Sequence, residues 1–142
     1  MTFRELNESD LSAELQQQAT ALFGQLTSSR AALPLDAVLN DTHRLTLLCC
    51  MEGDTLLGMA SMATYRVVSG YKGWIEDVVV DHTQRGRGIG RGLVSRLLEK
   101  GKQLGLTEIL LFTGVQRKPA MALYESLGFK TKDSRIYIYE LQ

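Results

Sequence analysis

The sequence predicts an α/β domain built on a mixed β-sheet. Its 142 residues include 44% apolar side chains and only two prolines, which is enough apolar material for one hydrophobic core and too much for a disordered chain. Strand patterns and amphipathic helical patterns alternate along the second half, and this order requires at least one parallel crossover between strands. We therefore expect residues 1–142 to form a single domain.

The first half of the chain predicts a strand, two helices and a β-hairpin. Apolar residues recur at helical spacing from Leu11 to Leu26, and Pro34 suits the first turn of a second, shorter helix. The polar segment Glu52–Thr55 separates two apolar runs and predicts the hairpin turn, with Gly58 at a weak point or bulge in the second strand. The elements expected, in order, are a strand at 2–6, helices at 11–26 and 33–39, and strands at 45–51 and 56–68.

The second half predicts three more strands and two helices. Trp74–Val80 carries apolar residues on both of its faces, which is typical of a strand in the middle of a sheet. Arg135–Leu141 alternates apolar and polar residues and predicts a final, outer strand. The elements expected, in order, are a turn at 69–73, a strand at 74–80, an amphipathic helix from 89 that ends at Gly101 or Gly105, a buried strand at 107–112, a helix at 119–127 and a strand at 135–141.

Charge and hydropathy exclude several classes of protein. The 16 Lys and Arg residues balance the 16 Asp and Glu residues, which argues against a general nucleic-acid binder and a polybasic membrane module, so any anion site must be local. No apolar run approaches the ~20 residues of a membrane span, and Met1–Leu6 lacks the charged-then-apolar order of a secretion signal. We expect a cytoplasmic protein that binds neither nucleic acid nor membrane.

Cysteine and histidine usage predicts no metal and no disulfide. Cys49 and Cys50 are neighbours in a strand, so their side chains point to opposite faces and are expected to be small core residues. His43 and His82 have no partner at ligand spacing, and we expect both to lie in loops.

The most informative segment is Arg85–Gly92, with four glycines in eight residues between a central strand and a helix. Glycine allows positive φ and a close approach to a ligand, and a helix N-terminus presents unpaired N–H groups. Together they predict a cradle for phosphate or pyrophosphate, to which nearby arginines add charge. A dinucleotide fingerprint fails at its last glycine, and no Gly-Lys-Ser/Thr tripeptide supports an ATP-binding loop.

Three linked features resemble the GNAT family of N-acetyltransferases. They are a strand that ends in Glu76–Val80, an Arg-x-x-Gly-x-Gly loop at Arg85–Gly90, and the segment Leu123–Phe129 downstream. The resemblance covers most of the chain. It implies a mixed α/β fold whose central sheet has six to seven strands flanked by about four helices, and an enzyme that uses acetyl-CoA.

The resemblance also implies where the coenzyme binds. The backbone of Gly86–Arg91 would hold the pyrophosphate, and Val78–Val80 would pair with the pantetheine arm like an extra strand. Many members carry Asn where this chain has Arg117, so Arg117 is a candidate for contact with either the coenzyme or an acidic substrate. The coenzyme residues expected are Val78, Val79, Val80, Arg85, Gly86, Arg87, Gly88, Ile89, Gly90, Arg91, Arg117 and Tyr124.

Amine acetylation needs a base, a site for the thioester oxyanion and a proton for the leaving thiolate. Glu76 is the expected base, through a water, and Asp77 would orient the amine; in a regular strand the two would face opposite sides, unless a bulge intervenes. The alternative is that both carboxylates pair with Arg or Lys. A backbone N–H near Val78 would meet the oxyanion, and the resemblance places Tyr124 near the sulfur. No Ser, Cys or His constellation suggests a covalent intermediate.

The acceptor is expected to be a small amine. Gln25–Thr27 and Glu76–Val80 resemble glucosamine-6-phosphate N-acetyltransferases, whereas the chain length and the loop Val115–Arg117 resemble aminoalkylphosphonate N-acetyltransferases. Polyamine or peptide acetylation, a non-catalytic acyl-CoA-binding domain and nucleic-acid recognition remain alternatives. The C-terminal strand also predicts a homodimer, since an outer strand can pair with a second subunit.

Overall fold

The structure, a computed structural model, describes residues 1–40 and 44–142 of the chain. It contains two compact units, Met1–Phe112 and Thr113–Gln142. His43, predicted to lie in a loop, falls outside the described residues. The prediction of a single domain over residues 1–142 stays a prediction.

Five strands of the first unit form one mixed sheet in the order β1-β2-β3-β4-β5. Neighbouring strands are antiparallel except for β4 and β5, which are parallel. This pair confirms the crossover that the second half predicts. The strands are β1 (Thr2–Glu5), β2 (Leu45–Glu52), β3 (Thr55–Val67), β4 (Gly70–Val80) and β5 (Glu108–Leu110).

Helices cover the two faces of this sheet. The bounds are α1 (Ala13–Leu26), α2 (Leu35–Val38) and α3 (Ile89–Leu104). Residues of α1 and α2 form one buried cluster with Leu47, Met59 and Val79 of the sheet. On the opposite face, a Cβ added to Gly58 would lie 2.9 Å from Ile89 Cγ2, so the start of α3 rests directly on β3. Within the described residues, no helix has the length and hydropathy needed to cross a bilayer.

Gly58 also adjoins an irregularity in the pairing of β2 with β3. Cys50 faces Gly58 whereas Met51 faces Leu56, which leaves Leu57 as an extra residue in β3. The bulge predicted near this glycine is therefore confirmed. Cys49 and Cys50 are completely buried, free thiols, as expected for core residues.

The sheet has five strands where six to seven are expected, and the missing one is the C-terminal segment. Arg135–Leu141 is not a strand, and Ile136 and Ile138 remain 62% and 73% exposed. A strand requires a hydrogen-bonded neighbour, and the second unit has no other strand among its described residues. That unit contains one helix, α4 (Lys118–Ser126), which confirms the helix predicted at 119–127.

Two smaller expectations about strand limits are also wrong. β4 begins at Gly70, not at Trp74, because β3 and β4 continue as a hairpin in which Arg66 stacks 4.3 Å above the ring of Tyr71. The strand predicted as buried at 107–112 is confined to β5 and is half-buried. Helix α3 ends at Gly105, which adopts φ +76°, whereas a Cβ on Gly101 would lie 2.5 Å from Ile109 Cδ1.

Candidate active site

Strand β4 contains a β-bulge at its two acidic residues. Val79 faces Met59 and Glu76 faces Ser61, so Ala60 alone opposes both Asp77 and Val78. Asp77 has φ +53°, the only positive φ of a non-glycine residue in the described chain. A bulge leaves one residue out of the hydrogen-bonding ladder, and the left-handed conformation costs a residue with a side chain about 1–2 kcal/mol. Strain of this kind often accompanies function.

The bulge brings the two carboxylates to one cavity. Both Glu76 and Asp77 line a space of about 380 Å³ in the first unit, although regular alternation would have placed them on opposite faces. The wall of the cavity comes from α1, α2 and the segment between them, and its floor comes from β2, β3 and β4. Among the described residues, no Lys or Arg forms an ion pair with either carboxylate, so the alternative that both are neutralised by structural cations finds no support.

Both carboxyl groups bind protons more tightly than free carboxylic acids do. Partial burial raises the pKa of Glu76, and the negative charge of Asp77 raises it further. Burial also raises the pKa of Asp77. Each side chain nevertheless remains open to solvent through the cavity. A carboxylate with a raised pKa is a better proton acceptor once it is ionised.

The edge of β4 next to the bulge is open. β4 pairs with β5 only over Lys72–Trp74, so no strand of the described first unit continues this pairing along Ile75–Val80. The backbone of Val78, Val79 and Val80 is paired with β3 on one side only. An unpaired strand edge of this kind can accept an extended ligand as a further strand, and the pantetheine contact stays a prediction.

The glycine-rich segment forms an open turn into α3. Gly86 and Gly88 adopt φ +82° and +76°, and a Cβ added to either would meet nothing within 4 Å. The helix starts at Ile89, and its backbone hydrogen bonds begin with Gly92 N–H donating to Gly88 O at 2.9 Å. The N–H groups of the first turn, which includes Gly90 and Arg91, therefore have no acceptor within the helix. This geometry suits a pyrophosphate.

Gly92 serves packing instead of ligand access. A Cβ at this position would overlap the ring of Phe3, and Arg96 stacks on that ring at 4.0 Å from its centroid. The glycine therefore lets α3 lie close to β1. Two glycines of the segment thus permit positive φ, and this one permits close contact between elements.

The three arginines of the loop differ in their surroundings. Arg87 donates to Glu52 at 2.9 Å and also to Gln84, and this contact lowers the pKa of Glu52. Arg85 is exposed and has no polar partner among the described residues. Arg91 is exposed on the first turn of α3. Arg85 is thus the cation most available for a phosphate, while Arg87 is shared with an acid.

Tyr124 and Arg117 belong to the second unit. Arg117 is the residue that precedes α4, and Pro119 follows in the first turn of that helix. The ring of Tyr124 packs edge-on against Phe129, with centroids 5.9 Å apart. Burial raises the pKa of the Tyr124 hydroxyl, and the charge of Arg117 opposes this rise. The hydroxyl is therefore protonated at neutral pH and able to donate.

Sequence analysis missed two further residues that line the cavity. Arg30, in the segment after α1, supplies the one cationic side chain of the described lining. Ser61 is 7% exposed and is the register partner of Glu76. Ser61 is a polar residue within the apolar run of β3, and that interruption was the available signal. Arg30 gives no such signal, since it follows α1 in a polar segment typical of a helix end.

The structure also shows the position of His82 and the grouping of side chains that could bind a metal ion. His82 begins the turn after β4, where Gln25 Oε1 accepts from its backbone N–H at 2.9 Å. It is an exposed loop residue, as predicted. Within residues 1–40 and 44–142, no three His, Cys, Asp or Glu side chains are grouped so as to hold a metal ion.

Comparison with known proteins gives the family. Residues 5–129 match the acetyltransferase (GNAT) family. The chain is 32% identical to the glucosamine 6-phosphate N-acetyltransferase of Trypanosoma brucei brucei, over 96% of this chain and 93% of the relative. It is 26% identical to an L-methionine sulfoximine/L-methionine sulfone acetyltransferase of Salmonella typhimurium, over 91% and 80%. In several other curated relatives the match takes up between 19% and 37% of the relative's length.

The fold is also that of known acetyltransferases. A putative acetyltransferase from Agrobacterium tumefaciens superposes with a TM-score of 0.83, 22% identity and coverage of 99% of this chain and 100% of that one. The resemblance noted in the sequence is confirmed, and with it the predicted class of enzyme, an N-acetyltransferase that depends on acetyl-CoA. The chain belongs to the acetyltransferase (GNAT) family.

Proposed function

We propose that this enzyme transfers the acetyl group of acetyl-CoA directly to the primary amine of a small molecule. The observation that carries the proposal is the bulge in β4. It joins a cavity with two carboxylates, Glu76 and Asp77, to the open edge at Val78–Val80. An amine in the cavity and a thioester along that edge would meet at the bulge.

The coenzyme would lie along the open edge and end at the loop. The pyrophosphate would accept hydrogen bonds from backbone N–H groups between Gly86 and Arg91, with charge from Arg85. The pantetheine arm would pair with Val78, Val79 and Val80. Arg117 is a candidate for a second contact with the coenzyme or with an acidic acceptor.

The reaction needs a neutral amine nucleophile. Glu76 would accept a proton from the ammonium group through a water, and Asp77 would orient the amine. The amine nitrogen would then attack the thioester carbon, whose oxygen becomes an oxyanion that accepts a hydrogen bond from a backbone N–H near Val78. The C–S bond breaks as the amide forms, and Tyr124 would donate its proton to the departing thiolate. The nitrogen would release its second proton to solvent, from which Tyr124 is protonated again.

The acceptor would be a small amine that bears a phosphorus oxyanion, such as an amino sugar phosphate or an aminoalkylphosphonate. The names of the two curated relatives point to different acceptors, an amino sugar phosphate and amino acid derivatives. These acceptors share a primary amine and an anionic group.

A thiol-release assay with acetyl-CoA tests the proposal. The panel contains phosphorylated amino sugars, aminoalkylphosphonates, amino acids, polyamines and short peptides. We expect release that depends on one class of small amine, and a fall of about 10²-fold or more in kcat for Tyr124→Phe with an unchanged Kd for acetyl-CoA. Tyr65→Phe, a change on β3 outside the site, is the matched control.

Other outcomes of this assay would replace the proposal. If acetyl-CoA binds and no amine stimulates release, the chain is a non-catalytic acyl-CoA-binding domain. If peptides exceed all small amines in kcat/KM, the enzyme modifies proteins. Faster turnover of polyamines than of anionic amines would exclude the phosphorus oxyanion as part of the acceptor.

We also propose that the enzyme is a cytoplasmic homodimer. The apolar side chains of Ile136, Ile138 and Leu141 are exposed at the C-terminal end of the chain, and pairing with a second copy would bury them. Equilibrium sedimentation at micromolar concentration is expected to give twice the chain mass. A monomer at that concentration would contradict the dimer, and cell fractionation tests the location.

A further inference from the structure

Acidic and basic side chains both line the cavity beside the bulge. Glu76, Asp77 and Ser61 lie together, because Ser61 faces Glu76 across the β3–β4 pair and residues directly opposite have side chains about 5 Å apart. Arg30 comes from a different element, the segment between α1 and α2. The two carboxylates and Ser61 are therefore grouped on the sheet, and Arg30 supplies a positive charge from a different element.

Most other polar groups of the lining are already engaged. Gln16 Nε2 donates to Thr20 Oγ1 at 2.9 Å, and Gln16 Oε1 accepts from Leu35 N–H at 2.6 Å. By contrast, Arg30 and the buried Ser61 have no side-chain hydrogen-bond partner among the described residues. These two side chains and the two carboxylates are the polar side chains of the lining left to meet a ligand.

Apart from Gln16 and Thr20, the other side chains of the lining are apolar. These apolar side chains offer no hydrogen-bond partner to the hydroxyl groups of a sugar ring, which would depend on the backbone or on water instead. An acceptor with a hydrocarbon body would instead bury apolar surface against the same wall. The apolar side chains that line the cavity include those of Ala19, Phe23, Leu33, Val38, Leu47 and Met59.

We propose that the acceptor is a compact primary amine with an anionic group on an apolar carbon body, and that Arg30 binds the anion while the ammonium lies at Glu76, Asp77 and Ser61. This inference rests on the proposed function and names its acceptor more closely. The shared chemistry is that of an amino acid or an aminoalkylphosphonate, and it disfavours an amino sugar phosphate. A planar guanidinium fits carboxylate and phosphonate oxygens alike.

The test compares each acceptor with a partner that lacks the anion. The pairs are L-leucine with 3-methylbutylamine, 3-aminopropylphosphonate with propylamine, and glucosamine 6-phosphate with glucosamine. The variant is Arg30→Gln, and the control is Arg66→Gln, an exposed arginine outside the cavity that stacks on Tyr71. The ratio of wild-type to variant kcat/KM is taken for each acceptor, so that differences in amine basicity cancel.

We expect Arg30→Gln to reduce kcat/KM for L-leucine or for 3-aminopropylphosphonate by about 10- to 100-fold. This is the loss typical of a charge-assisted hydrogen bond. The loss should lie mainly in KM, with the uncharged partner unchanged and Arg30→Lys partly active. The acceptor with the larger loss of kcat/KM identifies the anion as carboxylate or phosphonate. Equal losses for both members of a pair, no loss, or a higher kcat/KM for glucosamine 6-phosphate than for both other anions would overturn the inference.

A binding measurement separates this inference from the proposed function. Titration calorimetry of the same acceptors, with coenzyme A present, measures affinity without turnover. Binding that weakens in Arg30→Gln together with absent thiol release would contradict the proposed reaction and uphold the acceptor class. Thiol release with amines whose binding is unaffected by Arg30→Gln would uphold the proposed reaction and contradict the acceptor class.

Discussion

Arg87 and Glu52 form an ion pair, N–O 2.9 Å, between the glycine-rich loop and the last residue of β2. The two residues are 35 positions apart in sequence. The pair links the loop to the sheet, and it places a carboxylate beside the proposed pyrophosphate site. Because both side chains are exposed, the pair adds little to stability, and its main effect concerns the charge of the loop.

Replacing Glu52 by Gln is expected to strengthen coenzyme binding. The change removes a negative charge next to a polyanionic ligand and releases Arg87 to contact it. We expect the KM for acetyl-CoA to fall about threefold at low ionic strength and the difference to shrink in high salt. Arg87→Gln should raise the same KM, and a Glu52→Gln variant with a higher KM would show that the pair acts by holding the loop in place.

The pH dependence of the reaction should report the contact between the two carboxylates. Glu76 must be ionised to act as a base, so kcat/KM should fall as the pH drops through its raised pKa. Asp77→Asn removes the negative charge that raises this pKa, and the acid limb should therefore move to lower pH. Profiles of both enzymes with one amine test this, and an acid limb that does not move would exclude Glu76 as the group that titrates.

Glu76→Gln should stabilise the fold while it reduces the rate. The pKa of Glu76 is higher in the folded protein than in the unfolded chain, so the folded protein binds its proton more tightly. The free energy of unfolding therefore falls as the pH rises through the window between these two pKa values. Above that window the ionised carboxylate is partly buried, and the neutral amide avoids this cost. We expect a higher Tm at pH 7, a Tm advantage that disappears in acid, and a loss of about 10²-fold or more in kcat.

Two glycine replacements should change stability in opposite directions. Gly88 has φ +76°, so Gly88→Ala forces a side chain into the left-handed region and should cost about 1–2 kcal/mol. Gly24 lies in α1 with nothing within 4 Å of an added Cβ, and Gly24→Ala should add about 0.5–1 kcal/mol. Urea denaturation measures both. The KM for acetyl-CoA should rise only in Gly88→Ala, and an equal rise in both would exclude a local effect of the loop.

The element order and the glycine loop were predictable because they depend on local patterns. Helical spacing in α1 and the position of Pro34 concern residues within one or two turns of each other. Gly86 and Gly88 could be assigned because few other residues adopt their conformation. The family resemblance, which rests on these same local motifs, supplied the rest of the site.

The features that sequence could not supply depend on contacts between distant segments. Whether Glu76 and Asp77 lie on one face of the sheet depends on how many residues of β3 lie opposite them. The pattern of apolar and polar residues in β4 does not reveal that number. Arg30 lines the cavity only because the segment after α1 folds over the sheet. Arg135–Leu141 has the pattern of a strand, but a pattern without a hydrogen-bonded neighbour makes no strand.

The bulge also determines which changes in chain length β4 can accept. Glu76 and Val79 both face α1, three positions apart, only because one extra residue lies between them. Deletion of Val78 would restore regular pairing with Glu76 and Val79 still opposite Ser61 and Met59, but Asp77 would then face the other side of the sheet. We expect the loss of this one residue to leave the fold of β4 in place and to leave the cavity with a single carboxylate.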